Sequence, residues 1–98
     1  MVDETPIERL LKPVLDLSHV DKRNRPHLVW SESPGATHYL LQESNTSEFE
    51  SPKEFKLKAD DTRWNPVWGR SGRLFYRVRA RSGDDEGPWS EVLSLRIA

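Results

Sequence analysis

The run from Leu74 to Leu95 constrains the fold more than any other part of this chain. Leu74, Tyr76, Val78 and Ala80 alternate with Phe75, Arg77, Arg79 and Arg81. A period of two places the first set on one face of a strand and the second set on the other. Ser82 to Pro88 then supplies turn chemistry: a glycine for positive φ, aspartates that bond their own backbone, and a proline that fixes φ. Val92 to Ile97 resumes the apolar alternation. The unit predicts a long antiparallel hairpin, which points to an all-β sandwich.

The rest of the chain carries the same punctuation. Strands are predicted over Val14–Val20, Pro26–Ser31, Thr37–Ser44, Lys53–Lys58 and Thr62–Trp64, separated by Asp21–Arg25, Glu32–Ala36, Asn45–Pro52 and Asp60-Asp61. Leu28 with Trp30, Tyr39 with Leu41, and Phe55 with Leu57 each share a face. Pro66 limits the fifth strand because it cannot donate to a central ladder, and Gly69–Gly72 makes the turn before the hairpin. Seven short strands with turn signals between them read as a sandwich or small barrel. Residues 1–12 differ. Thr5-Pro6-Ile7-Glu8 has capping-box spacing with proline at the first helical position, which predicts a short helical turn that Pro13 ends. The domain organisation is therefore an N-terminal extension or linker over 1–12 and one sandwich over 13–98.

Bulk properties exclude several functions. At 98 residues the chain has room for one core. Only 35% of residues are hydrophobic and 32% are charged, which suits strands with one wet face. A formal net charge of -1 gives no bulk attraction to phosphate backbones, so no nucleic-acid partner is expected. There is no cysteine, which excludes disulfides, thiol catalysis and cysteine-ligated zinc. No apolar run is long enough for membrane insertion. Asp3, Glu4, Glu8 and Arg9 interrupt anything resembling a secretion signal. His19, His27 and His38 lie in separate segments without metal-ligand spacing, and read as surface or rim side chains. Asp60-Asp61 and Asp84-Asp85-Glu86 follow no calcium-loop spacing and read as solvated acidic turns. No catalytic residue, metal site or cofactor is expected. Asn45-Thr46-Ser47 fits a glycosylation acceptor pattern that matters only in a eukaryotic secretory setting.

From Pro13 to Ile97 the sequence resembles the fibronectin type III domain. Four features carry the resemblance: Trp30 in the second strand, Tyr39 and Leu41 after a Pro-Gly loop, Tyr76-Arg77-Val78-Arg79-Ala80 in the sixth, and Gly87-Pro88-Trp89-Ser90-Glu91 before the last. The resemblance implies a seven-stranded antiparallel, immunoglobulin-like sandwich of two near-aligned sheets. It also implies a non-catalytic spacer or protein-interaction module of a larger extracellular, cell-surface or assembly protein. One family feature is missing. Counting back from Ala80, Leu74 stands where the family's corner tyrosine falls, and Trp68 stands at the leucine position before it. The register then makes Trp68 a buried corner residue.

The candidate binding residues are Arg77, Arg79, Asp84, Asp85 and Trp89. Guanidinium planes stack on indole faces, and Trp89 lies beside the face that carries Arg77 and Arg79. Trp89-Ser90 is similar to the second half of the Trp-Ser motif of cytokine-receptor relatives, with Glu86-Gly87 where the first half would stand. This group reads as a cation–π ladder that holds the sheet or, less strongly, as a ligand-contacting surface. Asp84 and Asp85 sit in the loop at one end of the sandwich, where this family often binds partners. Arg81-Ser82-Gly83-Asp84 has an inserted serine relative to an Arg-Gly-Asp adhesion motif, so integrin recognition is not expected. Two further roles stand beside the spacer. One is a carbohydrate-associated accessory module of a polysaccharide-active enzyme, with Trp64, Trp68 or Trp89 stacking on a glycan. The other is a small structural subunit docking through Ile7–Leu11.

Overall fold

The computed structural model describes residues 10–98. Eight strands lie among them: β1 (Leu15–Val20), β2 (Pro26–Trp30), β3 (His38–Ser44), β4 (Lys53–Lys58), β5 (Arg63–Trp64), β6 (Gly72–Ser82), β7 (Asp85–Glu86) and β8 (Leu93–Ile97). They form two antiparallel sheets. The smaller has the order β1-β2-β5; the larger runs β4-β3-β6-β7, with β8 also paired to β6. The seven expected strands are present, and β7 is a two-residue addition inside the expected Ser82–Pro88 turn.

Alternation along each strand decides which side chains meet between the sheets. Tyr39 pairs with Ala80, Leu41 with Val78 and Glu43 with Tyr76, so these side chains face inward. Leu28 and Trp30 meet them from the opposite sheet, and Leu74, Leu95 and Ile97 close the far end. Burying this set is the main driving force for folding. The outward row of the large sheet is largely polar and basic, with Gln42 opposite Arg77 and His38 opposite Arg81, and the buried Leu40 opposite Arg79 as its apolar member. On its other side, β3 carries the edge strand β4, whose Lys56 and Lys58 face outward opposite Leu40 and His38. Lysines on an edge strand discourage pairing with another chain. Burial, aided by Lys56 and Arg81, holds the His38 ring below its usual pKa.

Two details of the strand reading shift. Val14 is exposed and Leu15 and Leu17 turn inward, so β1 starts one residue later than predicted. The last strand starts at Leu93 because Ser90 interposes its side chain: Val78 N donates to Ser90 Oγ at 3.0 Å, while Ser90 N donates to Val78 O at 2.7 Å. The helical turn predicted from Thr5-Pro6 lies mostly outside the described residues, and its described part, residues 10–12, is not helical. Leu10 packs against the core cluster whereas Leu11 is exposed. Among the described residues, no helix is long and apolar enough to cross a membrane.

Candidate functional site

Strand β6 brings Arg77 and Arg79 to the outer face of the large sheet, and the irregular stretch after β7 lays Trp89 across them. The Arg77 guanidinium carbon sits 4.2 Å from the Trp89 ring centre, and that of Arg79 4.4 Å. Arg77 also lies 4.2 Å from the ring centre of Phe49. The edges of both guanidinium groups are occupied too. Arg77 Nε donates to Gln42 Oε1 at 2.8 Å. Arg79 Nε donates to the Gly87 carbonyl at 3.0 Å, and its Nη1 reaches Glu86 Oε2 at 3.3 Å. Burial and the neighbouring Arg79 push the Arg77 pKa down from its usual value. A guanidinium stacked on rings and bonded at its edge has few donors left for a ligand. The arrangement is a ladder, Phe49–Arg77–Trp89–Arg79, that fastens the segment after β7 to the sheet. Asp84 and Asp85 stand apart from it. Both are exposed, Asp84 in the β6–β7 turn, where Gly83 takes a φ of 59°, and Asp85 at the start of β7, paired with Ser82.

Trp68 overturns the expectation of a buried corner. It is 77% exposed, and Val67 beside it is 76% exposed. Pro66 is fully buried and breaks the strand after Trp64, so Trp64 and Trp68 do not share a strand face. Trp64 turns toward the core, with ring centres 4.8 Å from Phe55 and 5.9 Å from Tyr76. Trp68 turns out to solvent. Leu74, at the position where the resemblance expects a tyrosine, is buried as an apolar side chain.

The loop that carries Trp68 is nevertheless anchored from within. Glu43 is buried at 5% exposure and accepts from Tyr76 Oη at 2.5 Å and from Arg70 Nε at 2.9 Å. A buried carboxylate needs such partners. Arg70 Nη1 then donates to the Trp68 carbonyl at 2.9 Å, and Arg70 N donates to the Asn24 carbonyl at 2.8 Å. The Glu43 hydrogen bond holds the Arg70 pKa above its usual value. Burial first, and then the Glu43 carboxylate, push the Tyr76 hydroxyl far above the usual tyrosine range. A groove of about 360 Å³ opens beside this anchor, between the edges β4 and β5, lined by Phe55, Trp64, Val67 and Trp68 together with Lys53 and Arg70. A second depression of about 210 Å³ adjoins it and reaches Glu43 and Asn45, sharing Lys53 and Arg70.

The histidines also gain a partner that the sequence reading missed. His19 and His27, facing each other across β1 and β2, stack with ring centres 4.2 Å apart. Asp21 Oδ2 lies 2.8 Å from both His27 Nε2 and Arg25 Nε, and its Oδ1 accepts from the backbone N–H groups of Arg23 and Arg25. The His27 bond leads the causes that hold the Asp21 pKa well below the usual carboxylate range. The available signal was an aspartate opening a charged turn with a histidine on each flanking strand. Among the described residues no group of three or more potential metal ligands converges.

No protein-family model and no curated protein matches the sequence. Solved structures match the fold. The fn3 domain of the human collagen alpha-1(XX) chain superposes with a TM-score of 0.70 at 23% identity, covering 95% of this chain and 90% of that one. The third fibronectin III domain of the human KIAA0343 protein gives 0.72 at 14% identity, with 99% and 90% covered. Part of the pectate lyase PelI from Erwinia chrysanthemi, solved in complex with tetragalacturonic acid, gives 0.71 at 19% identity over 86% of this chain. This chain spans only 28% of that enzyme's chain. The protein therefore has the fibronectin type III fold, an immunoglobulin-like β-sandwich.

Proposed function

We propose that the chain is a non-catalytic spacer and interaction module of a larger extracellular, cell-surface or assembly protein, set beside neighbouring domains. The observation that carries this reading is that Leu10 and Ile97 lie toward opposite ends of the long strand β6. Leu10 lies against Gly87, whose N–H donates to the Ala80 carbonyl, at one pole, whereas Ile97 pairs with Gly72 at the other. Eight residues of β6 separate Gly72 from Ala80, about 26 Å at the usual strand rise. Domains joined before and after would be held apart by a rigid sandwich rather than folded back on one another. The absence of cysteine makes a clean test available. A Leu11→Cys, Ala98→Cys double variant carrying spin labels should give one narrow distance distribution on the order of 25–30 Å between backbones, widened by the label arms. A broad or short distribution would contradict a rigid spacer. Arg77, Arg79 and Trp89 serve this reading as the ladder that stiffens the sheet, and Asp84 and Asp85 present a free acidic turn to a neighbour.

A second reading, a carbohydrate-associated accessory module, is favoured by the 77% exposure of Trp68 on an anchored loop. An indole that solvates this much surface while its backbone is fixed is suited to stacking on a ligand ring. Its test is a saccharide-binding screen with the Trp68→Ala variant beside the unaltered chain. Binding that the variant loses supports the reading, and the absence of any binding contradicts it.

A further inference from the structure

The groove between Trp64 and Trp68 and the depression that reaches Glu43 and Asn45 are both lined by Lys53 and Arg70. An apolar surface and a charged recess side by side suit a molecule that is itself apolar on one face and polar at its rim. A pyranose ring has that character: its C–H face packs on an indole, and its hydroxyls sit in the ring plane. A greasy protein segment would cover Val67 and Trp68 but would leave the Glu43–Arg70 recess unmatched. The sign of charge narrows the ligand further. The one carboxylate lining the recess, Glu43, is already bonded to Tyr76 and Arg70, and Lys53 adds a further cation to the lining.

Rigidity supports the same conclusion. Trp68 is held through its own carbonyl by Arg70, and Arg70 is held by a buried carboxylate. A fixed backbone leaves only the rotation of the indole itself to be given up on binding. Gly69 allows the close approach of the loop to the Arg23 carbonyl, which fixes the loop from a second side.

We propose that this groove is a binding site for an acidic polysaccharide, in which a uronate-bearing pyranose stacks on Trp68, abuts Trp64, and sets its carboxylate against Lys53. The proposal rests on the carbohydrate-associated reading above and assigns that reading its site and its ligand class.

The test uses the full chain at low ionic strength, titrated by calorimetry with an oligogalacturonate and with a neutral cello-oligosaccharide of equal length. Trp68→Ala, Lys53→Gln and a distant exposed control, Val14→Ser, are titrated alongside. The oligogalacturonate is expected to bind more tightly than the neutral sugar. Trp68→Ala should weaken binding about tenfold or more, the scale of losing an aromatic anchor. Lys53→Gln should remove the preference for the acidic sugar, and Val14→Ser should change neither. Binding that survives Trp68→Ala would leave the carbohydrate reading standing and overturn this site. Equal binding of both sugars, untouched by Lys53→Gln, would overturn the acidic class. Absence of binding to either sugar would overturn site and reading together. Self-association abolished by Trp68→Ala, with no saccharide binding, would make the groove a protein-docking face and also overturn the proposal.

Discussion

At the residue scale, two glycines show how tightly the sandwich ends are closed. A Cβ added at Gly69 would run into the Arg23 carbonyl oxygen, which is backbone and cannot rotate away. Gly69→Ala is expected to lower stability by about 1–3 kcal/mol, the usual range for overpacking, measured by urea unfolding. A Cβ at Gly87 would sit 2.8 Å from the Leu10 Cβ and 3.3 Å from the Ala80 carbonyl oxygen. Tyr76 carries a second prediction. Its hydroxyl donates to a buried carboxylate, and hydrogen bonds to charged groups contribute roughly 1.5–3 kcal/mol. Tyr76→Phe should lose stability on that scale. Because the folded state raises the Tyr76 pKa above the ordinary 10.0, the native state holds the proton that the unfolded state releases. Stability linked to Tyr76 is therefore complete below pH 10 and declines as pH rises beyond it. Alkaline unfolding curves of the two chains should converge in that direction. The inward placing of Tyr76 was legible from alternation alone. Its partner Glu43 was not, because a charged residue in an alternating strand reads as solvent-facing until its bonded neighbours are known.

At the element scale, the β1–β2 turn is built on one carboxylate. Asp21 accepts from two backbone N–H groups and from the side chains of Arg25 and His27, and Asn24 takes a φ of 59° to close the loop. Folding depresses the Asp21 pKa below 3.8, so its contribution is fully present above that pH and is lost progressively as pH falls below it toward the depressed folded value. Asp21→Asn should be less stable than the unaltered chain at pH 7, and the gap should narrow in urea unfolding as pH drops toward 3. The elements themselves were largely legible in the sequence. The strands from Pro26 to Lys58, and β6, fall where alternation placed them. Departures arise where a side chain or a proline intervenes locally: Ser90 delays β8, and Pro66 turns Trp68 away from the strand that holds Trp64. The stacking of Arg77 and Arg79 on Trp89 was also readable, since alternation fixes the outward row and Gly87-Pro88 brings the chain back across it. The exposure of Trp68 was not, because the family register describes a buried corner residue at that position.

At the scale of the whole molecule, the four tryptophans divide the work. Trp30 and Trp64 pack the interior between the two sheets, Trp89 binds a returning segment to the outer face, and Trp68 is presented to solvent from an anchored loop. A spacer needs the first two roles and has no use for the last, so the proposed recognition falls on Trp68. The direct measurement is urea unfolding of Trp89→Ala and Trp68→Ala side by side. Trp89→Ala removes two cation–π contacts and a half-buried indole, and is expected to lower stability by about 2 kcal/mol. Trp68→Ala, at an exposed position, should stay within about 0.5 kcal/mol of the unaltered chain. The reverse order, with Trp68→Ala the damaging change and Trp89→Ala silent, would contradict the division between a structural ladder and a presented binding face.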